Sequence, residues 1–164
     1  MQNAPIRKIE LSSPEVFKAL LSHEVNKSRR YGDSLTLIHL LVETDPVHRE
    51  AQLEAEAFTM NVLNLRLRDA DIASKRGNEF LILMPSTGIP GARTACERIR
   101  KLIPIEHQTD NGITFRLSTF IGMATPPSDH SISSDELTEH ASQALLHARA
   151  NQLTNAVVFS EIPG

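Results

Sequence analysis

Two short apolar segments separated by a Gly-Asn dipeptide constrain the fold of this chain more than any other feature. The first segment spans residues 72–74, the second spans residues 80–84, and Gly77-Asn78 lies between them. Glycine and asparagine tolerate positive φ angles, which a tight two-residue hairpin turn requires. We therefore predict a β-hairpin in which Glu79 is an acid at the tip of a buried strand.

Composition limits the classes of protein that the chain can form. Its 164 residues, 40% of them hydrophobic, suffice for one globular domain with a single core. The net charge of -3 argues against a nucleic-acid-binding surface that works by bulk electrostatics. Cys96 is the only cysteine, so we expect no intramolecular disulfide and no thiolate cluster, and interpret it as a packing residue. No segment has the apolar length of a signal peptide or a membrane span, so we expect a cytoplasmic protein without membrane insertion.

Hydrophobic periodicity predicts alternating helices and strands. Ser13 and Pro14 are typical of a helix start, and Gly32 of its end. The second helix, from about Glu50 to Leu67, is expected to turn a stripe of five residues to the core: Leu53, Ala57, Met60, Leu63 and Leu67. The other predicted elements are a buried strand at 35–42, the hairpin, a helix at 90–102, a strand at 115–124, a helix at 133–152 that begins with a Ser133/Glu136 capping box, and an edge strand at 157–159.

The order of these elements predicts the fold class. Helices and strands alternate as αβαββαβαβ, which is typical of an α/β (α+β) fold with a mixed central β-sheet flanked by helices. We divide the chain into an N-terminal extension, residues 1–12, and one domain, residues 13–164.

Five short segments occur in an order that a known family shares. They are Arg30-Tyr-Gly32, Gly77-Asn-Glu-Phe80, Cys96-Glu-Arg-Ile-Arg100, Ile121-Gly-Met-Ala124 and Ala144-Leu-Leu-His-Ala-Arg149. In this order the chain, from about Phe17 to Phe159, resembles the GGDEF domain, the nucleotide-cyclase-like fold of diguanylate cyclases. The resemblance implies that fold, and the alternative is an unrelated sandwich of helices and strands.

The resemblance also implies that the catalytic chemistry has been lost. Active members condense two GTP molecules with the help of two metal ions, held by acids at the end of the first strand and in the hairpin. Aligned from Arg30, the first metal aspartate falls on Leu41, which cannot bind magnesium, and the second falls on Glu43. The guanine-recognition segment is missing, because residues 44–48 lead directly into the next helix. We therefore expect a degenerate domain that is not an enzyme, with no catalytic residue, cofactor or metal.

Remnants of that catalytic site are still recognisable. By the resemblance they are Glu43, Gly77, Asn78, Glu79 and Arg149. The hairpin is one residue short of Gly-Gly-Asp-Glu-Phe, so either the second glycine or the catalytic acid is lost. Arg149 replaces a phosphate-contacting lysine and keeps its charge. Glu43 and Glu79 are left either as ligands of a single cation or as solvated acids at strand ends.

A second family site is better preserved. Arg68-Asp-Ala-Asp71 has the Arg-x-x-Asp spacing and the position, six residues before Gly77, of the family's inhibitory site for cyclic di-GMP. Arg98 stands where the family often adds an arginine from the next helix. A guanidinium fork matches the O6 and N7 acceptors of guanine, and a carboxylate accepts from the N–H edge of that base. The alternative is a chance pair at a helix end, where the helix dipole favours cations.

Three functions are compatible with these residues. The first is a non-catalytic receptor for cyclic di-GMP that relays its occupancy to a regulatory protein partner. The second is a ligand-free module for docking or homodimer formation, and the third, which Leu41 disfavours, is a residual diguanylate cyclase. No pair of histidines has a metal-binding spacing, and His39, in an apolar strand, is interpreted as a core histidine with its polar atoms satisfied.

Overall fold

The computed structural model describes residues 11–163, which form four α-helices, six β-strands and a short 3-10 helix. The helices are α1 (Pro14–Tyr31), α2 (Arg49–Arg66), α3 (Ile89–Leu102) and α4 (Ser134–Ala150). The strands are β1 (Leu35–Asp45), β2 (Ile72–Arg76), β3 (Glu79–Pro85), β4 (Glu106–Gln108), β5 (Thr114–Ala124) and β6 (Val157–Val158), and the 3-10 helix is Phe159–Glu161. Most of the predicted N-terminal extension, residues 1–10, lies outside the described residues.

All six described strands belong to one sheet, with β1 at its centre. The strand order is β2-β3-β1-β5-β4, and β6 also pairs with β5. Neighbouring strands are antiparallel except for β6, which runs parallel to β5. The predicted fold class, a mixed sheet flanked by helices, is confirmed.

Helices cover both faces of the sheet. Ile38, Leu40 and Val42 of β1 pack against apolar residues of α2 and α3, whereas Leu35 and Leu37 pack against α1 and α4. Side chains alternate between the two faces of a strand, so covering both faces requires a nearly continuous apolar sequence. The apolar run that predicted a central strand is therefore explained by burial on both sides.

The predicted capping residues lie at the ends of α1 and at the start of α4. Ser13 Oγ accepts a hydrogen bond from the Val16 N–H at 3.2 Å, and α1 ends at Gly32, whose φ of 72° is in the left-handed region. Ser133 Oγ likewise accepts from the Glu136 N–H at 3.1 Å at the start of α4. These caps depend only on local sequence, which is why they could be predicted.

The predicted inner stripe of α2 is wrong in its first half. Leu53 is 57% exposed and Ala57 is exposed, while Leu63 and Leu67 are buried as expected. The buried residues of the helix include the small side chains Ala51 and Ala55, which let it approach β1 closely. The sequence of α2 contains two apolar stripes, and the one with smaller residues faces the sheet.

Two short strand features also differ from expectation. β4 was not predicted, because it has three residues and its sequence Glu-His-Gln is polar; it pairs with residues 114–116 of β5, which follow it after a short turn. The predicted edge strand 157–159 ends one residue earlier, where the 3-10 helix begins. No helix within residues 11–163 is long and apolar enough to cross a membrane.

Helix α4 approaches the sheet closely at Gly122 in β5. A Cβ atom at this position would lie 2.2 Å from the Leu145 backbone nitrogen and 2.5 Å from the Ala141 carbonyl oxygen in α4. Both are backbone atoms of a packed helix, which cannot move aside without shifting the whole element. No residue larger than glycine fits at position 122 without displacing α4.

We expect Gly122→Ala to lower the free energy of unfolding by about 3 kcal/mol, because the added methyl group forces α4 off the sheet. Urea denaturation followed by circular dichroism measures this. Ser118→Ala, an exposed position on the same strand, is the matched control and should change stability by less than about 0.5 kcal/mol. Equal stability of the two variants would contradict the close approach of α4.

Candidate functional site

The predicted hairpin joins β2 and β3 through a two-residue turn. Gly77 has a φ of 62°, whereas Asn78 is not among the residues with positive φ. Glycine at the first turn position with positive φ is the pattern of a type II′ turn, which suits the twist of paired strands. Glu79 is thereby the first residue of β3.

The hairpin lies beside β1. Glu79 pairs with Leu41 across the antiparallel strands, and Glu43 follows two residues later in β1. The two remnant acids are therefore brought to the same end of the sheet. Arg149, on the last turn of α4, joins them there through an ion pair with Glu43.

Leu41 takes part in a small apolar cluster instead of facing solvent. It packs with Phe120 of β5 and with Leu145 and Ala148 of α4, and only 7% of its surface is exposed. An aspartate in this position would be a carboxylate buried among apolar side chains. The side chain at the end of β1 therefore stabilises the packing of α4.

The carbonyl oxygen next to Leu41 is surrounded by hydrogen-bond donors. Val42 O accepts from Asn78 Nδ2 at 3.1 Å and from Gln52 Nε2 at 3.1 Å. The Val42 N–H in turn donates to Asn78 O at 3.1 Å, so Asn78 binds both backbone groups of one residue. Amide N–H groups carry partial positive charge, which is the wrong sign beside a cation.

The two remnant acids each have a basic neighbour. Glu43 forms its ion pair with Arg149 Nε. One oxygen of Glu79 lies 3.7 Å from His39 Nε2. The Arg149 guanidinium opposes the negative charge of Glu43, whereas His39 opposes that of Glu79 only when its ring is protonated; both acids keep some exposure to solvent.

A divalent cation does not fit this arrangement. Octahedral magnesium needs several oxygen ligands at close range, and the position offers an apolar side chain, a carbonyl occupied by two donors, an acid paired with arginine, and Glu79 as a further carboxylate. Within residues 11–163 no three histidine, cysteine, aspartate or glutamate side chains gather into a metal-binding group.

His39 is a titratable residue in the mostly buried part of β1. Its Nδ1 lies 3.1 Å from Ser142 Oγ of α4, and its side chain is mostly buried. Burial is the largest influence and lowers the pKa of His39 below 6.5; the Glu79 carboxylate opposes this shift, and Arg76 adds to it. The interpretation of His39 as a satisfied core histidine agrees with these contacts.

Cys96 also packs as the sequence suggested. It is buried on the inner face of α3, with Sγ 3.6 Å from Met123 Sδ. Burial raises the pKa of its thiol to about 12, so the group stays protonated at neutral pH.

The Arg-x-x-Asp segment forms a turn between α2 and β2. The helix ends at Arg66, and the Asp71 N–H donates to the carbonyl oxygen of Arg68 at 3.0 Å. Asp71 Oδ2 accepts from the backbone N–H of Arg68 at 2.8 Å, which closes the turn from the other side. The pair is therefore held by its own backbone just after the helix.

Asp71 also orients the Arg68 guanidinium. Arg68 Nη2 donates to Asp71 Oδ1 at 3.0 Å, and Nε lies 3.4 Å from Oδ2. Nη2 further contacts the Thr87 hydroxyl at 2.6 Å and the Pro85 carbonyl at 3.2 Å. The carboxylate is 2% exposed and the arginine side chain is 56% exposed, so the cation is the group presented to solvent.

Arg98 lies across a cleft from this pair. Arg68, Asp71 and Arg98 line the same depression of about 250 Å³, between the end of α2 and one face of α3. On α3 that face is made by Gly91, Thr94, Ala95 and Arg98, at the spacing of successive helical turns. The structure thus brings together all three residues of the sequence-predicted site.

Two further residues of the cleft were missed by sequence reasoning. Arg66 lines it beside Arg68, so three arginines face one aspartate. Thr87 supplies the hydroxyl that fixes Arg68, and it reaches this position only because β3 ends next to the turn. Arg66 falls within the same basic stretch and was available as a sequence signal, whereas Thr87 was not.

Comparisons with known proteins agree with this architecture. Residues 58–155 match the family model described as "Diguanylate cyclase, GGDEF domain". Among curated proteins no similar sequence is found.

Several solved structures share the fold at low sequence identity. The GGDEF domain of DgcB from Caulobacter crescentus, in complex with c-di-GMP, aligns with a TM-score of 0.78 and 15% identity over 98% of this chain and 97% of that chain. The active GGEEF domain of a diguanylate cyclase from Vibrio cholerae gives 0.73 and 18% over 92% and 98%. Diguanylate cyclase SiaD from Pseudomonas aeruginosa, in complex with its activator SiaC, gives 0.76 and 20% over 90% and 58%.

Replacing His39 should flatten the pH dependence of stability. Because the pKa of His39 is lowered in the folded protein, the unfolded chain takes up a proton near pH 6.5 that the folded protein does not, and stability falls as the pH drops through this range. We expect His39→Gln to lose less unfolding free energy than the wild type between pH 7.5 and 5.5 in urea titrations. His23→Gln, an exposed site on α1, is the control. A steeper loss in His39→Gln would contradict the assignment.

Proposed function

The chain belongs to the GGDEF domain family, and from this premise we propose that it is a catalytically inactive member that acts as a receptor for cyclic di-GMP. The observation that carries the proposal is the convergence of Arg68, Asp71 and Arg98 on one cleft. The proposal concerns this domain, whatever protein it regulates.

The chemistry of the cleft matches the two parts of a cyclic dinucleotide. Arg68 is held in a fixed orientation by bonds through Nε and Nη2 and is largely exposed, so its Nη1 group is ready to donate to the O6 or N7 acceptor of a guanine. Arg98, exposed on the opposite wall, supplies a cation for a phosphate. Preorganisation of Arg68 by Asp71 lowers the entropy lost on binding.

The size of the cleft suggests how much of the ligand it takes. A volume of about 250 Å³ is at the small end of ligand sites. We infer that one guanine and its adjacent phosphate enter the cleft, while the other half of the ligand lies over the exposed surface beside Arg98.

The absence of catalysis is supported by the contacts at the end of β1. Leu41 is packed against α4, Val42 O is occupied by two amide donors, and Glu43 is paired with Arg149. Changing Leu41 alone would leave the other two obstacles to metal binding in place. The loss of activity is then the combined result of the apolar side chain at position 41, the donors bonded to Val42 O and the Glu43–Arg149 ion pair.

The runner-up, a docking module without ligand, is favoured by one observation. Leu53 and Leu65 of α2 are 57% and 73% exposed, and Val47 before the helix is 94% exposed. These apolar side chains are available for contact with a partner protein. A domain that binds partners through α2 without binding a nucleotide is consistent with their exposure.

The first test is for cyclase activity. Incubation of the protein with GTP and either magnesium or manganese should yield no cyclic dinucleotide by liquid chromatography, because the metal-binding position is filled by apolar and donor groups. An active diguanylate cyclase treated identically is the positive control. Product that disappears in Glu79→Ala would overturn the inactive assignment.

The second test is calorimetric titration with cyclic di-GMP. Arg98→Ala removes an exposed cation and should weaken binding about ten- to a hundredfold, since a hydrogen bond to a charged group contributes about 1.5–3 kcal/mol. Arg93→Ala, on the same helix but outside this cleft, is the matched control and should leave affinity unchanged. Binding of the wild type should also weaken with added salt.

Variants of the Arg68–Asp71 pair distinguish recognition from simple attraction of phosphate. Arg68→Ala should abolish the pairing with guanine. Asp71→Ala should also weaken binding, because Arg68 loses the partner that orients it, although the cleft becomes more positive. Plain phosphate attraction predicts tighter binding for Asp71→Ala. A wild type that gives no heat at tens of micromolar ligand would favour the docking module.

A further inference from the structure

One edge of the sheet is open over a short stretch of β5. On the side away from β1, β4 pairs with residues 114–116 and β6 pairs with Gly122 and Met123. Between these two partners, residues 118–121 have no neighbouring strand in the part of the chain that the structure describes, whereas Leu117 is already bonded to the segment before β4. The open stretch is about 13 Å long at 3.3 Å per residue, the length of a short strand.

The backbone of Thr119 points into this opening. The Leu117 N–H donates to the Ile105 carbonyl at 2.7 Å, on the side away from β1. Backbone polar groups alternate sides along an antiparallel strand, so the N–H and C=O of Thr119, two residues later, point the same way. No backbone group in residues 11–163 bonds to them there. They present a donor and an acceptor to an added strand.

A groove gives access to this backbone. It has a volume of about 520 Å³, and Ser118, Thr119 and Phe120 form part of its lining. The segment after α3 contributes apolar groups, among them Ile105, which is 70% exposed. Gln152 and Thr154, from the loop before β6, also line it. An extended peptide thus finds both backbone partners and apolar contacts in one place.

The charge of the groove selects the kind of peptide. Arg100, Lys101 and Arg116 line it, and no acidic side chain does. Glu97 bonds to Arg100 at 2.5 Å and lies 3.9 Å from Lys101, so one acid is shared between two cations. The groove is therefore positive in a chain whose net charge is -3. Complementary charge favours an acidic occupant.

We propose that the open edge of β5 binds an extended acidic segment of a partner protein, which adds to the sheet as a short strand between β4 and β6. Thr119 supplies the central pair of backbone hydrogen bonds. Side chains on one face of the added strand contact the exposed Ile105, while its acids meet Lys101 and Arg116 at the rim. In this mode of recognition backbone bonds give affinity and the groove gives selectivity.

The test uses the peptide acetyl-Glu-Val-Glu-amide, which is about 10 Å long when extended and fits the opening, and nitrogen-15-labelled protein. Titration followed by amide NMR shifts should perturb residues 117–121 and 103–105, and hydrogen exchange at the Thr119 amide should slow when the peptide is bound. Perturbations confined to other surfaces, or none at millimolar peptide, would overturn the proposal.

Two control peptides separate strand addition from charge attraction. Replacing the central valine by proline removes a backbone donor and should weaken binding at least tenfold. Replacing every glutamate by lysine should abolish binding. A proline peptide that binds as well as the original would show that no strand is added, and a lysine peptide that binds equally would exclude selection by charge; either result contradicts the proposal.

Two protein variants test the groove itself. Lys101→Glu should weaken the acidic peptide about fivefold or more, whereas Lys27→Glu, the same change on an exposed position of α1, should not. Thr119→Pro removes the central donor without removing a bond to β1, and should abolish binding while thermal unfolding reports whether the fold is kept. Equal affinity of Lys101→Glu and Lys27→Glu would reject the groove as the binding site.

Discussion

β1 hydrogen-bonds to β3 along one edge and to β5 along the other, while helices cover both of its faces. Polar side chains on such a strand have to find partners inside the protein. Thr36 donates to the Thr87 carbonyl at 2.8 Å, and His39 lies against Ser142 and Glu79. The strand reaches solvent only near Glu43, so any chemistry that uses its side chains is restricted to that end.

The end of β1 and the turn after α2 differ in what bonding within the protein does to their polar groups. At the end of β1, groups that resemble a catalytic centre bond to one another: Asn78 to the Val42 backbone and Arg149 to Glu43. At the turn after α2, the internal contacts of Arg68 leave the side chain exposed and oriented. The polar groups at the end of β1 are already bonded to one another and are not free to bind a ligand, whereas the bonds that hold Arg68 leave it exposed to one. This difference is the physical basis for our proposal that the domain binds a ligand at the turn after α2 and has no catalytic activity at the end of β1.

Much of the fold followed from local sequence, and the parts that did not follow depend on distant partners. The hairpin needed only Gly77 with positive φ, and α1 needed Ser13 and Gly32. The orientation of α2 was misjudged because periodicity cannot show which of two apolar stripes meets the sheet. In the candidate sites, residue spacing placed Arg68 near Asp71, but the bond from Gln52 to Val42 required the strand and the helix to be packed together.

The open stretch of β5 has a consequence for the behaviour of the domain in solution. An unpaired strand edge is a template on which a second copy of the same chain can add, the first step of edge-to-edge aggregation. Here the opening is bordered by Arg100, Lys101 and Arg116. If two copies approached with these edges facing, their cations would meet and repel. The positive charges along the groove therefore oppose pairing between the β5 edges of two copies. The edge can stay unpaired without causing aggregation.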